Sequence, residues 1–167
     1  SKLLDSRSYT LIVGRPPATR DHTFGSRRRE PAPVTGTKRA IVLLVDFPDA
    51  QATLPAAHYE DMLFSTGTYA TGSMRDFFHE ASYGNLDVVG SVHGWFRAPQ
   101  PKSYYTNGDY GFGAYPQNAQ KLAEDAIDLA NPTVNFAPFD NDGDGEVEAL
   151  VIICAGTGGE VTGNTGD

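Results

Sequence analysis

The sequence predicts a mixed α/β fold, and three observations carry that prediction. Residues 41–45 form a near-continuous β-branched and leucine run, the composition of a strand buried on both faces. Ala119, Leu122, Ala123, Ala126, Ile127 and Ala130 recur at three- and four-residue spacing, the stripe of an amphipathic helix. Residues 149–154 are again apolar and strand-like, so strand and helix signals alternate along the chain.

Taken in order, residues 1–38 are rich in Arg, Pro, Ser and Thr and read as an extended arm, with one short apolar segment at 9–13. The body, residues 39–167, opens with the first strand, which Pro48 ends. Pro55 suits the first turn of a helix running to about Phe64, with Tyr59, Met62 and Leu63 on one stripe. Ser73 offers an N-cap, with Asp76 at capping-box spacing, and Gly84 supplies the residue that stops this second helix near Tyr83. Residues 86–96 have strand character, with Gly90 and Gly94 marking bulges or a bend. Pro116 opens the striped helix and Pro132 ends it. The aromatic-rich stretch 103–115 reads as a loop that covers the core or lines a cleft, the former favoured.

Charge narrows the partners. Residues 1–40 carry nine Lys/Arg against three Asp/Glu, whereas residues 41–167 carry four against eighteen. So acidic a body repels phosphates, which argues against nucleic acid. Arg27, Arg28 and Arg29 are the one counter-signal, read as part of a solvated arm. The longest apolar run, residues 40–45, is far too short to span a bilayer. A single cysteine, Cys154, excludes an internal disulfide.

Residues 77–83, FFHEASY, begin like the zinc-protease signature H-E-x-x-H but place Tyr83 where the second histidine belongs. Met74, Phe77, Phe78 and Ala81 define an apolar helix face, and His79 falls about 150° from its centre, toward solvent. A phenol of ordinary pKa about 10 is a poor zinc ligand at neutral pH. His22, His58 and His93 show no ligand spacing. His79 is expected to be a surface histidine.

Residues 140–148, DNDGDGEVE, carry a stronger signal. Asp140, Asp142 and Asp144 take positions 1, 3 and 5 of a calcium loop, and Gly145 takes position 6, where the chain turns sharply. The backbone carbonyl of Glu146 and the carboxylate of Glu148 complete the expected Ca²⁺ ligands. Val151 stands where an EF-hand has its bidentate glutamate, so this is not an EF-hand. Carboxylates this close repel until a hard dication converts the repulsion into attraction. The competing reading is an acidic hairpin turn. Calcium bound here is expected to pin the helix at 116–130 to the strand at 149–154.

Five segments in this order resemble the immune inhibitor A family of secreted metallopeptidases. They are RAIVLLVDFPD at 39–49, LFSTGTYATGSMRDFFHEASYGNLDVVGSVHGWFRAP at 63–99, KSYY at 102–105, YPQNAQKLAEDAI at 115–127 and FDNDGDGEVEALVIICAGTGGEVTG at 139–163. The resemblance implies a zincin-like N-terminal subdomain, a mixed twisted sheet with packed helices and a calcium loop before the last strand. It also implies a secreted zinc endopeptidase acting on proteins or peptides. In that family the H-E-x-x-H helix lies downstream of the glycine-rich stretch that here runs to Asp167. No zinc ligand or catalytic residue can therefore be carried onto this chain. Its partner is expected to be the C-terminal remainder of its own chain, and residues 1–167 alone are expected to be inactive. The arm then reads as the end of a pro-segment or as a linker. Cys154 departs from a histidine frequent in the family, and Glu160 matches a family glutamate. Two other readings stay open: a non-catalytic calcium-binding structural or adhesion module, and a thiol enzyme using Cys154.

Overall fold

The computed structural model describes residues 33–158, so the arm before them, with His22 and Arg27 to Arg29, and Glu160 lie outside the described residues. Three strands, β1 (Gly36–Asp46), β2 (Leu86–Arg97) and β3 (Leu150–Cys154), form one sheet in the order β2-β1-β3. Both pairings are parallel. The expected mixed sheet is therefore corrected: every described strand runs the same way. The reason is connectivity, because each link between strands carries helices, which a parallel crossover requires and a hairpin does not.

The first link carries α1 (Ala56–Phe64) and α2 (Met74–Ala81), and the second carries α3 (Lys102–Thr106), α4 (Ala119–Ala130) and a short 3₁₀ turn at Ala137–Phe139. They cover opposite faces of β1. Ile41, Leu43, Val45 and Phe47 pack with Tyr105, Ala126, Ile127, Ala130 and Phe139 on one side. Ala40, Val42 and Leu44 pack with Phe64, and with the half-buried Tyr59, Leu63, Met74 and Trp95, on the other. This double coverage is why the run at 41–45 is apolar throughout rather than alternating. Each fully buried aliphatic side chain there contributes about 1.5–3 kcal/mol.

The two strand glycines answer different needs. Gly90 pairs with Ala40 where the Phe64 ring lies over the sheet, leaving no room for a Cβ. Gly94 has φ +113° and sits in a register shift, between Leu43 opposite His93 and Val45 opposite Phe96, where β2 gains one residue. That is the expected bulge.

At the start of α2 the capping box forms as expected: Ser73 Oγ accepts from the Asp76 N–H at 3.0 Å, and Asp76 accepts from the Ser73 N–H at 3.1 Å. Those backbone donors, Ser73 first and then Gly67, hold the Asp76 carboxyl below its ordinary pKa. Ser73 is buried and its hydroxyl also donates to the Ser65 carbonyl at 2.6 Å, tying α2 to the end of α1. Ser73→Ala is expected to cost about 1–2 kcal/mol, read as a lower urea midpoint with unchanged m-value. An unshifted midpoint would mean the cap is redundant. Arg75 grips Asp87 with two bonds, at 2.6 and 2.8 Å, fixing α2 to β2.

Three expectations fail here. Phe77, Phe78 and Ala81 do not face the core: all three are exposed, and only Met74 of that stripe packs inward. The striped helix α4 begins at Ala119 rather than Pro116, because Asn118 caps it by accepting from the Lys121 N–H at 3.0 Å. The loop at 103–115 opens instead with α3, whose Tyr105 is core and donates its phenol to Asp125 at 2.7 Å. Burial, then this bond, pushes the phenol pKa up. Phe112 and Tyr115 farther along the loop are exposed.

Candidate metal-binding loop

The segment from 140 to 148 hangs between two anchored points. Phe139, last residue of the 3₁₀ turn, is buried in the core, and Leu150 begins β3 opposite Ile41. Between them Gly143 and Gly145 adopt φ +83° and +94°, the left-handed conformation that allows the chain to coil on itself. The coil directs backbone N–H groups at its own carboxylates. Asp140 accepts from the Gly143 N–H at 2.6 Å and the Gly145 N–H at 2.9 Å. Asp142 accepts from Asp144 at 3.2 Å, and Asp144 from Glu146 at 2.9 Å. Glu148 closes the loop, accepting from the Asn141 and Asp142 N–H groups and from the Asn141 side-chain amide.

Three carboxylates meet. Oxygens of Asp140, Asp142 and Glu148 lie within 4.8 Å of one another, and among the described residues this is the one such group of three or more His, Cys, Asp and Glu. Asp144, expected in the same set, is not in it: its carboxylate serves the Glu146 N–H instead. Glu146 itself is exposed.

The electrostatics separate the three. The Gly145 N–H, and then Gly143, keep the Asp140 carboxyl below its ordinary pKa. Glu148 loses solvation, which raises its pKa, yet the Asn141 donors prevail and the net shift is downward. Asp142 goes the other way. The Asp144 N–H lowers its pKa, but desolvation and the charges of Asp144, Glu148 and Asp140 together raise it. So Asp142 bears the repulsion of the cluster, the condition a cation relieves.

Sequence reasoning missed Asn141. Its Oδ1 accepts from the Arg39 N–H at 2.7 Å and its Nδ2 donates to the Arg39 carbonyl at 2.9 Å, bonding the loop to β1. The loop is thus tied to the central strand. The only signal was position: Asn141 lies between two ligand-spaced aspartates, where it reads as a spacer.

The remaining candidates do not assemble. His79 is exposed, as expected, and Tyr83 is 94% exposed with φ +55°. His58 packs edge-on against Tyr59 and Tyr69, and His93 Nε2 lies 2.8 Å from Ser91 Oγ. Cys154 meets solvent at one edge of a cavity of about 410 Å³ beyond the C-terminal ends of β1 and β3, lined by Phe47, Tyr105, Leu122 and Lys102. Enough protein surrounds the thiol that desolvation, opposed by the Lys102 charge, raises its pKa. A raised pKa is the reverse of what a thiol nucleophile needs. Lys102 gives its ammonium to the Thr157 carbonyl.

No helix among the described residues is long and apolar enough to cross a membrane. No curated protein matches the chain. A family model does: the catalytic domain of the immune inhibitor A peptidases, M6, matches residues 32–166. Covering most of the sequence, that match places the chain in the immune inhibitor A peptidase M6 family, as catalytic-domain sequence.

Proposed function

We propose that residues 39–167 are the N-terminal, calcium-stabilised part of the catalytic domain of a secreted zinc metalloendopeptidase. The family match carries the peptidase reading. The convergence of Asp140, Asp142 and Glu148 supports the calcium reading. These are hard oxygen donors on a loop with two left-handed glycines, which fits Ca²⁺; the carbonyl of Glu146 and the carboxylate of Asp144 would join as further oxygen ligands. Calcium's contribution here is structural, neutralising the cluster that Asn141 fastens to β1.

Zinc does not fit the described residues. A catalytic zinc site requires histidine or mixed His/carboxylate ligands, and no described histidine joins such a group. No step of peptide hydrolysis is therefore assigned to these residues, and protein or peptide substrates belong to the complete enzyme. The remainder of the catalytic domain is the partner this part requires.

Calorimetric titration with calcium tests the loop. Sub-millimolar binding is expected, with stabilisation of about 2.7 kcal/mol at a hundredfold excess over Kd. Absence of binding below millimolar, with no shift in melting temperature, would overturn the calcium reading. Asp142→Asn gives a sign test. Without calcium it removes the repulsion that raises the Asp142 pKa, so the melting temperature stays level or rises; with calcium the gain disappears. Zinc content and caseinolytic activity of the complete encoded protein test the peptidase reading separately. A zinc-free, inactive complete protein that still binds calcium would leave only the module.

A further inference from the structure

The exposed face of α2 has the make-up of an interface. Phe77 is 65% exposed and Phe78 38%, with ring centroids 5.5 Å apart, and Ala81 and Tyr83, the latter 94% exposed, follow at the end of the same segment. The helix is nevertheless fixed from beneath by its capping box and by the Arg75–Asp87 pair. Glu80, one turn on from Phe77 on the same side, is exposed and makes no ion pair among the described residues. This is a rigid apolar surface with an acidic rim.

We propose that this face is the docking surface for the N-terminal segment of the same chain, through residues 7–15. Three observations single out that occupant. The chain enters the fold at the foot of α2: the Gly36 N–H donates to the Asn85 carbonyl at 2.7 Å, and Gly36 pairs with Leu86. Residues 1–32, which precede the described structure, carry seven Lys/Arg against three Asp/Glu, the opposite sign to the body. Within them Arg7, Tyr9, Leu11, Val13 and Arg15 alternate with other residues, so an extended chain lays all five on one side, three apolar groups bracketed by two guanidinium groups. The lengths agree. From residue 9 to 13 an extended chain spans about 13 Å, and an eight-residue helix about 12 Å. The nineteen residues between Val13 and Pro33 exceed any reach required. The apolar triplet covers Phe77, Phe78 and Tyr83, while a flanking arginine meets Glu80.

Limited trypsin digestion of the full-length chain tests this, because Arg7, followed by Ser8, is itself a cleavage point. Docking protects it, and Phe77→Asp is expected to raise the initial cleavage rate after Arg7 about tenfold, since cleavage follows the open population. Leu11→Asp should do the same, and the double variant should add nothing further. Hydrogen exchange of β1 amides checks that the body stays folded. Should Phe77→Asp disturb it, Leu11→Asp decides, because Leu11 lies outside the described residues. Unchanged cleavage after Arg7 in the deciding variant would overturn the proposal. So would protection that depends on protein concentration, which would assign the face to a second copy.

Discussion

Gly90→Ala is expected to destabilise the protein by about 3 kcal/mol or more, enough to lower the urea midpoint sharply and to leave part of the chain unfolded at 37 °C. The argument is one of contact. A Cβ at this position would stand 2.2 Å from the Ala40 carbonyl oxygen and 2.4 Å from Cζ of Phe64. A flexible side chain can yield, but Ala40 is backbone in the middle of β1, held by β2 on one side and next to the β3 pairing at Ile41 on the other. Phe64 is itself buried, and displacing its ring opens the face of the sheet that α1 covers. Gly90 has no positive φ, so conformational preference is not the issue. Adding Phe64→Leu to the variant separates the two contacts. It relieves the ring and leaves the carbonyl, so recovery should be partial; full recovery would show that β1 can move and that the close approach of the strands is not what requires glycine.

The sequence signal at Gly90 was real but unspecific, and the same holds elsewhere. Residues 41–45 announced a strand covered on both faces because nothing but burial tolerates five consecutive large aliphatics. Ser73 and Asp76 announced a helix start because the capping box is a local device whose partners are three residues apart. What sequence could not supply was the environment of each face. The stripe Phe77, Phe78, Ala81 has the period of a core face, and periodicity records only that the residues share a side of the helix, not what lies opposite. Strand direction was also hidden, since it depends on which end of the sheet each link re-enters. In the acidic loop, spacing singled out Asp140, Asp142 and Glu148, three carboxylates that do converge. Asp144 stands outside the group of three, its carboxylate accepting from the Glu146 N–H, a local bond that ligand spacing does not reveal. Asn141 was missed because its partners, the N–H and carbonyl of Arg39, lie about a hundred residues away and are backbone groups with no sequence signature.

Leu43→Ala should be the most damaging truncation of a single side chain, costing about 2–5 kcal/mol. Leu43 is fully buried on the central strand, against the α4 side of the core, with β2 and β3 pairing on either flank. Neighbours hydrogen-bonded on both edges cannot close into the space left, so the cavity term is retained and the upper half of that range applies. For a domain of this size the loss corresponds to a fall in Tm of roughly 5–20 °C. Phe77→Ala is the necessary comparison. It removes a larger apolar group, yet Phe77 is 65% exposed, so in the core-packing view it should change Tm little. Both variants bear on the loop as well. Arg39, to which Asn141 is bonded, and Ile41, whose N–H donates to the Ala149 carbonyl, precede Leu43 on β1, so loosening that strand loosens the frame of the three carboxylates. Calcium affinity should therefore fall in Leu43→Ala and stay constant in Phe77→Ala. A Leu43→Ala protein that melts much lower but binds calcium unchanged would mean that the loop is organised by its own hydrogen bonds alone, and that Asn141 holds it to β1 without transmitting the strand's rigidity.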